Sequence, residues 1–449
     1  MADRPYQLYQ RVSLVASQAL VLEHLEHLLG RPIPYLSEID EYREDTVFGF
    51  IAADNRVIEL ALENQGLTTL PNTIGQLTNL EILYLGANQL QTLPDTIGQL
   101  QNLQKLYLYN NRLQTLPGTL VQLTNLQELY LGINQFQMLP EVIGRLRNLQ
   151  ILHLNHNRLQ TFPDTFDQLT NLQTLILGDN QFQTFPEVIS RLINLQKLGF
   201  YRNLLRVLPG TIGQLQNLRR LDLHGNRLQD LPDAIGQLHN LQQLYLSGGQ
   251  LQVLPKTIGQ LINLRYLGLR GNQLHMLPDT FGHLAALQEL ELSNNRLQIL
   301  PDTFGQLQNL RSLYLGGNQL HTLPDTFGHL VALQELELDY NSLQTLPDTI
   351  SQLQNLRILN LREIPLKLSN LPILVRLAQN NSNLHYVLPA SLIEHPLIQN
   401  LTVISGLTSF TFLLDSICPL CGKKALIHEK GEETGQERVF CANCENRIS

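Results

Sequence analysis

The chain has 449 residues, 43% of them hydrophobic and only 16% charged, with no tryptophan and a formal net charge of -8. That length suits two or three ordinary domains or one long repeat array, and heavy use of leucine, asparagine and glutamine favours one short unit copied many times. A negative net charge excludes general attraction to phosphate backbones or anionic membranes, so nucleic-acid binding would need a local basic patch.

The first apolar stretch, VSLVASQALVL, is interrupted by Gln18 and two serines and followed by the charged EHLEH, where a signal peptide would carry small residues. No run approaches the roughly 20 apolar residues of a membrane helix. Leu8, Val12, Val15, Ala19, Leu22 and Leu29, with Leu25 or Leu28, recur at steps of four and three and predict a helix over 8–29. His24 and His27 sit among its glutamates and read as a solvated face rather than a metal pair. TVFGFIAADNRVIEL then predicts a strand, a turn at Asp54-Asn55 and a second strand. These elements form an N-terminal cap, residues 1–56.

From residue 57 to 366 the chain repeats every 23 residues, as LEILYLGANQLQTLPDTIGQLQN followed by LQKLYLYNNRLQTLPGTLVQLTN illustrates. Asparagine fixes the register at 88, 111, 134, 157, 180, 203, 226, 272, 295, 318 and 341, and Gln65, Gly249 and Ile364 fill the remaining places, making 14 units. Proline follows six residues later, from Pro71 to Pro347, and apolar residues precede the asparagine by five and three positions. On these residues the segment resembles the leucine-rich repeat family, in the LPxxIGxLxNLxxLxLxxNxL class found in plant Ras-group and many bacterial and archaeal proteins. The resemblance implies an α/β solenoid, a horseshoe with a concave parallel β-sheet. It also implies a protein-interaction platform, in some members for small GTPases.

The residues agree on physical grounds. LxL puts two leucines on one side of an extended segment. Parallel strands need a long crossover, which the other residues of each unit supply. Proline suits a first helical position, and glycine four residues later is expected to limit the helix to a turn or two. The column asparagine should turn inward and bond backbone groups of its own and adjacent units. Gly249 cannot, which predicts a weak point at 246–251.

The side chains seven, six, four, two and one positions before the asparagine should line the concave face. Nine of the 14 tyrosines fall there (Tyr84, Tyr107, Tyr109, Tyr130, Tyr201, Tyr245, Tyr266, Tyr314 and Tyr340) and none of the 14 phenylalanines. β-propensity favours both residues, whereas a wet binding face selects the aromatic with a polar handle. Tyr84 to Tyr130 should form a nearly neutral aromatic strip. Lys197, Arg202, Arg219, Arg220, Arg265 and Arg270 mark a basic middle, and Glu289, Glu291, Glu335, Glu337 and Asp339 an acidic later zone. Tyrosine and arginine are frequent interface anchors, so the partner-binding candidates are Tyr84, Tyr107, Tyr109, Tyr130, Tyr201, Arg202, Arg220, Tyr245, Tyr266, Arg270 and Tyr314. Glu289 and Glu291 share a face, but an open sheet is expected to give no burial that raises a carboxyl. No GxxxxGK[ST] loop, GxSxG elbow or HExxH helix is present, so no enzyme is expected.

After residue 366 the period fails. LPILVRLAQ and PASLIEHPLI suggest two helices and LTVISGLTSFTFLLD extended segments, together a C-terminal cap over 367–416 packed around Leu359 and Leu361. The only four cysteines, Cys418, Cys421, Cys441 and Cys444, have four-thiolate zinc spacing around KALIHEK and QERVF, two strand candidates flanking GEETG. Residues 417–449 thus resemble a small zinc ribbon, with CANCE lacking the glycine usual after the last ligand. One structural Zn2+ is the expectation, with a redox dithiol pair or disulfides as alternatives. A closed structural site offers no Lewis acid. From Asp415 onward five Lys or Arg face six acids, which weakens a nucleic-acid role. The sequence therefore predicts a non-enzymatic, cytoplasmic, monomeric scaffold that binds a protein, such as a small GTPase or another signalling protein, with no membrane contact. The alternative gives the ribbon a nucleic-acid or transcription-machinery contact and makes the repeats its recruiting arm.

Overall fold

The computed structural model describes residues 6–39, 47–381, 384–389 and 392, and the backbone of three further strands, Leu426–Lys430, Glu437–Cys441 and Arg447–Ile448. The chain divides into two units, Met1–Arg227 and Leu228–Ser449.

The first unit opens with an antiparallel hairpin, β1 (Tyr6–Tyr9) against β2 (Val12–Val15), followed by α1 (Ala16–Leu29). The helix expected over 8–29 is therefore shorter at its start. Gln10 and Arg11 take φ of 49° and 70°, the left-handed pair of a two-residue hairpin turn, and β-branched Val12 and Val15 extend readily. Leu8 is 75% exposed while Leu14 is fully buried, so the apolar spacing across 8–15 reflects strand alternation. Ala19, Leu22 and Leu25 of α1 are buried, and Gln18 Oε1, also buried, accepts the Val57 N–H at 2.8 Å. His24 and His27 are exposed. The strands β3 (Phe48–Ala53) and β4 (Arg56–Leu62) form the expected hairpin, with Asp54 and Asn55 at φ 48° and 64°.

β4 is also the first strand of the repeats, paired in parallel with Ile82–Tyr84. Six more strands follow at the 23-residue spacing, ending at Arg220–Asp222. Each has three residues with a fully buried central leucine, from Leu83 to Leu221. Each crossover holds a five-residue 3-10 turn such as Asn72–Gln76, with Ile74 buried. Proline stands one place earlier than expected. Pro71 is extended (φ -71°, ψ 148°) and its carbonyl accepts the Ile74 N–H at 3.0 Å, so it caps the turn. Nor is the glycine's role to stop the helix, because it lies within the turn. A Cβ on Gly75 would stand 2.6 Å from Thr96 O of the next unit, and the small residue sets how closely successive turns stack.

The asparagine column turns inward as expected. Asn111 Nδ2 donates to Leu85 O and Leu108 O at 2.9 and 3.1 Å, while its Oδ1 accepts the Leu90 N–H at 2.9 Å. One side chain thereby ties neighbouring units together in a region closed to water.

The second unit repeats this plan from Gln243–Tyr245 to Ile358–Asn360. Beside Gly249 the ladder continues through Asn272, which bonds Leu251 N and Leu246 O at 3.0 and 2.9 Å. The array is closed by α2 (Leu371–Asn380) and by the strand His385–Val387, which pairs with Ile358–Asn360 and sets Tyr386 opposite Leu359. Leu361 N donates to Val387 O at 2.7 Å, which matches the expected docking around Leu359 and Leu361. Asn370 revives the ladder out of period by bonding Leu346 N, Gln344 O and Lys367 O. The second cap helix, the extended segments before the cysteines, and Cys418, Cys421 and Cys444 lie outside the described residues. Leu426–Lys430 and Glu437–Cys441 form an antiparallel hairpin, to which Arg447–Ile448 adds a third strand that the sequence did not suggest.

Candidate functional site

Because the central residue of each strand enters the core, the first and third stand on the opposite face of the sheet. In the first unit, in-register pairing places Tyr84, Tyr107, Tyr130 and His153 side by side. Tyr84 and Tyr107 stack with centroids 4.7 Å apart at 11°, Tyr107 and Tyr130 at 4.4 Å and 7°. His153 meets Tyr130 edge-on at 4.7 Å. Stacked rings cover one another's faces, so the row offers ring edges and phenolic hydroxyls. Tyr84 is only 3% exposed, whereas Tyr107 and Tyr130 are half-buried.

Tyr109 does not join the row. It lies flat over Gly86, where a Cβ would stand 2.5 Å from its ring, and donates to Glu63 Oε1 at 2.8 Å. Burial and the Glu63 carboxylate both raise its hydroxyl pKa. Tyr201 lies over Gly178 in the same way. The strip also carries charge, since Tyr130 donates to Glu128 Oε2 at 2.7 Å and Lys105 lies 3.7 Å from Glu128.

The expected basic middle is corrected by two aspartates that the sequence reading passed over. Asp179 sits 3.9 Å from Arg202 and 3.3 Å from His156. Buried Asp222 sits 3.5 Å from Arg220 and 2.7 Å from His224 Nδ1. Tyr201 stacks on His224 at 5.0 Å and 3°. The first unit thus brings Tyr201, Arg202 and Arg220 into a mixed-charge cluster. His153 is pushed down to about 4, first by burial and then by the Lys197 charge, and is neutral at pH 7.

In the second unit Tyr245 and Tyr266 approach at 4.5 Å and 31°, and Arg270 is exposed. Tyr314 stands apart from that pair and donates to Glu335 Oε2 at 2.7 Å. The expectation that an open sheet leaves its carboxyls unshifted fails here. Glu289 and Glu337 are raised by burial and then by neighbouring carboxylates, and Asp339 is raised by burial. Glu289 and Glu291 stand two strands from Glu335 and Glu337, with Ser312–Tyr314 between them, and the partly buried carboxylates repel across that strand.

His153 and Asp222 were legible as members of the Tyr107 column. Gly86 and Gly178, one unit before Tyr109 and Tyr201, signalled the flattened rings. Among the described residues no group of three His, Cys, Asp or Glu could hold a metal ion, and no helix is long and apolar enough to cross a membrane.

The leucine-rich repeat profile matches residues 56–113, 78–136, 124–182 and 216–274, and a leucine-rich repeat region profile matches 252–419. A leucine-rich repeat protein of Leptospira interrogans is 39% identical over 73% of this chain and 94% of its own, with a TM-score of 0.59. The chain belongs to the leucine-rich repeat family. This leucine-rich repeat protein is also similar to a plant peptide hormone receptor, RGFR1, solved in complex with RGF2, at 28% identity over 74% of the chain with a TM-score of 0.59. An Arabidopsis thaliana receptor kinase ectodomain, GASSHO1/SCHENGEN3, solved with CASPARIAN STRIP INTEGRITY FACTOR 2, is 27% identical over 83% of the chain with a TM-score of 0.57. The chain spans only 60% and 55% of those two receptor chains. A search of curated protein sequences finds no match.

Proposed function

We propose that this leucine-rich repeat protein is a non-enzymatic, monomeric scaffold of a reducing cytoplasm whose first unit binds a protein partner across the exposed sheet face. The observation that carries the reading is the Tyr84–Tyr107–Tyr130–His153 row, which holds four aromatic side chains in register on a face the core does not use. Rings fixed by their neighbours lose little freedom on binding, and phenolic hydroxyls give an otherwise apolar edge its hydrogen bonds. Asp179, Arg202, Arg220 and Asp222 beside it form a mixed-charge field that suits a protein surface better than a polyanion. The plant receptors above were solved in complex with RGF2 and with CASPARIAN STRIP INTEGRITY FACTOR 2, which supports a partner-binding role for these repeats. A small GTPase or another signalling protein would fit it.

The four cysteines are read as ligands of one structural zinc. Leu426 pairs with Cys441, so the hairpin is entered and left at one end, five residues after Cys421 and three before Cys444. Bound there, zinc would supply folding energy to a segment too small to hold itself.

Affinity capture from the source lysate tests the main reading. The native chain should retain a protein that Tyr107→Ala with Arg220→Ala releases while the far-UV spectrum is unchanged. Equal capture by both chains would overturn it.

A further inference from the structure

Away from the sheet face, the unit that starts at Asn203 breaks the family pattern at its surface. Elsewhere the residue after the column asparagine is mostly glutamine or arginine, the third residue after it is mostly glutamine or histidine, and an acid usually follows the proline. Here the chain reads NLLRVLPG. Leucine stands at 204, arginine at 206, valine at 207, and glycine at 210 where aspartate or glutamate is usual. Other units also carry an apolar residue at the 207 position (Met138, Val253, Met276 and Ile299) and glycine after the proline at 118, so Leu204 and Arg206 are what set this loop apart, making it more apolar and basic than its neighbours.

Leu204, Arg206 and Val207 line a pocket of about 680 Å³ within the first unit, inside the range of roughly 300–1,000 Å³ usual for ligand pockets. Phe185, Leu204, Val207 and Pro209 give it apolar walls, and Arg206 and Arg227 are exposed beside them. Backbone bonds from Leu204 N to Phe182 O and from Arg227 N to Leu205 O, at 2.9 and 2.8 Å, fix its walls. Nothing lies within 4 Å of where a Gly210 Cβ would stand, so the flank next to Pro209 is open. Neither arginine has a carboxylate partner among the described residues.

We infer that this pocket binds an extended acidic peptide segment of a partner protein, with an apolar side chain on the Phe185–Val207 wall and a neighbouring carboxylate on Arg206 and Arg227. Two unmatched guanidiniums favour carboxylates, which they can hold bidentately. Glu187 and Gln183 on the same lining disfavour a plain inorganic anion, but they accept backbone N–H groups, which a peptide brings with its acid. The site is separate from the Tyr107 face and does not depend on it.

The probe is a phage-displayed library of random twelve-residue peptides, selected on the full chain and re-measured as free labelled peptides by fluorescence anisotropy. Selected peptides should place Asp or Glu within two residues of an apolar side chain. They should bind at least tenfold more weakly to Arg206→Glu with Arg227→Glu, both exposed positions that leave the core intact, and more weakly to Leu204→Gln. Tyr107→Ala with Arg220→Ala should bind them as the native chain does, which separates failure here from failure of the sheet-face reading. Recovery of no peptide that the double variant weakens, of basic peptides, or of peptides displaced equally by inorganic phosphate would overturn the inference.

Discussion

The ring of Tyr107 lies 4.4 Å from that of Tyr130 and within 7° of parallel, which ties two repeats together on the face that does not enter the core. Tyr107 makes the same contact with Tyr84 on its other side. Tyr107→Ala should therefore cost stability as well as binding, on the order of 1–3 kcal/mol for two aromatic contacts. Tyr107→Phe should keep the melting temperature within about 2 °C, because the rings still stack, yet weaken partner capture by removing a hydroxyl. A Phe variant that binds fully would show that ring area alone drives recognition.

Asn111→Ala should orphan the Leu90 N–H, since Leu85 O and Leu108 O keep donors in Asn88 and Asn134. One unsatisfied buried donor costs about 1–3 kcal/mol. Urea denaturation should record that loss, and Asn111→Asp should lose more because its charge would face two carbonyls.

Gly249→Asn should act in the opposite direction by giving the Leu228 N–H the acceptor that other units have. A Cβ there would stand 2.7 Å from Asn272 Oδ1, so that side chain must yield and the gain should stay near 1 kcal/mol. Hydrogen exchange at 246–251 should slow in the variant. An unchanged exchange rate would mean that the native gap is already satisfied.

His153 titrates near 6.5 when unfolded and at about 4 in the fold, so the folded chain holds that proton more weakly. Its contribution to stability is complete above pH 6.5 and declines as the pH falls toward 4, at a slope of at most about 1.4 kcal/mol per pH unit. His153→Gln should flatten this dependence. Denaturation midpoints of both chains at pH 7.5, 5.5 and 4.5 would measure it.

Chelation should unfold the cysteine segment selectively if it is held by zinc. Metal analysis of the purified chain should give one zinc per molecule, and Cys441→Ser should lower that ratio while the repeats melt as before. A full zinc ratio in the variant would remove Cys441 from the ligand set.

The repeats were legible because each unit must bury its leucines against identical neighbours, so a single column of asparagines fixes the register of the whole array. The hairpin before α1 was not, because Val12 and Val15 keep the three-residue spacing of a helix face and only the left-handed pair Gln10-Arg11 breaks the helix there. On the sheet face the tyrosine column was readable from spacing. The pairing of Arg202 with Asp179 in the preceding unit and of Arg220 with Asp222 two places along the same strand was not, since charges were counted by sign and not by neighbour. The raised Glu289, Glu337 and Asp339 were missed in the same way, as burial among neighbouring strands desolvates groups that look open when each strand is considered alone.

Hydroxyl-radical footprinting of the chain, free and with its captured partner, tests the central claim most directly. Binding on the sheet face predicts suppressed oxidation at Tyr107 and Tyr130 in the complex, with Met138, exposed in a loop away from the sheet, oxidised as before. Suppression at Met138 with Tyr107 and Tyr130 unchanged would contradict it.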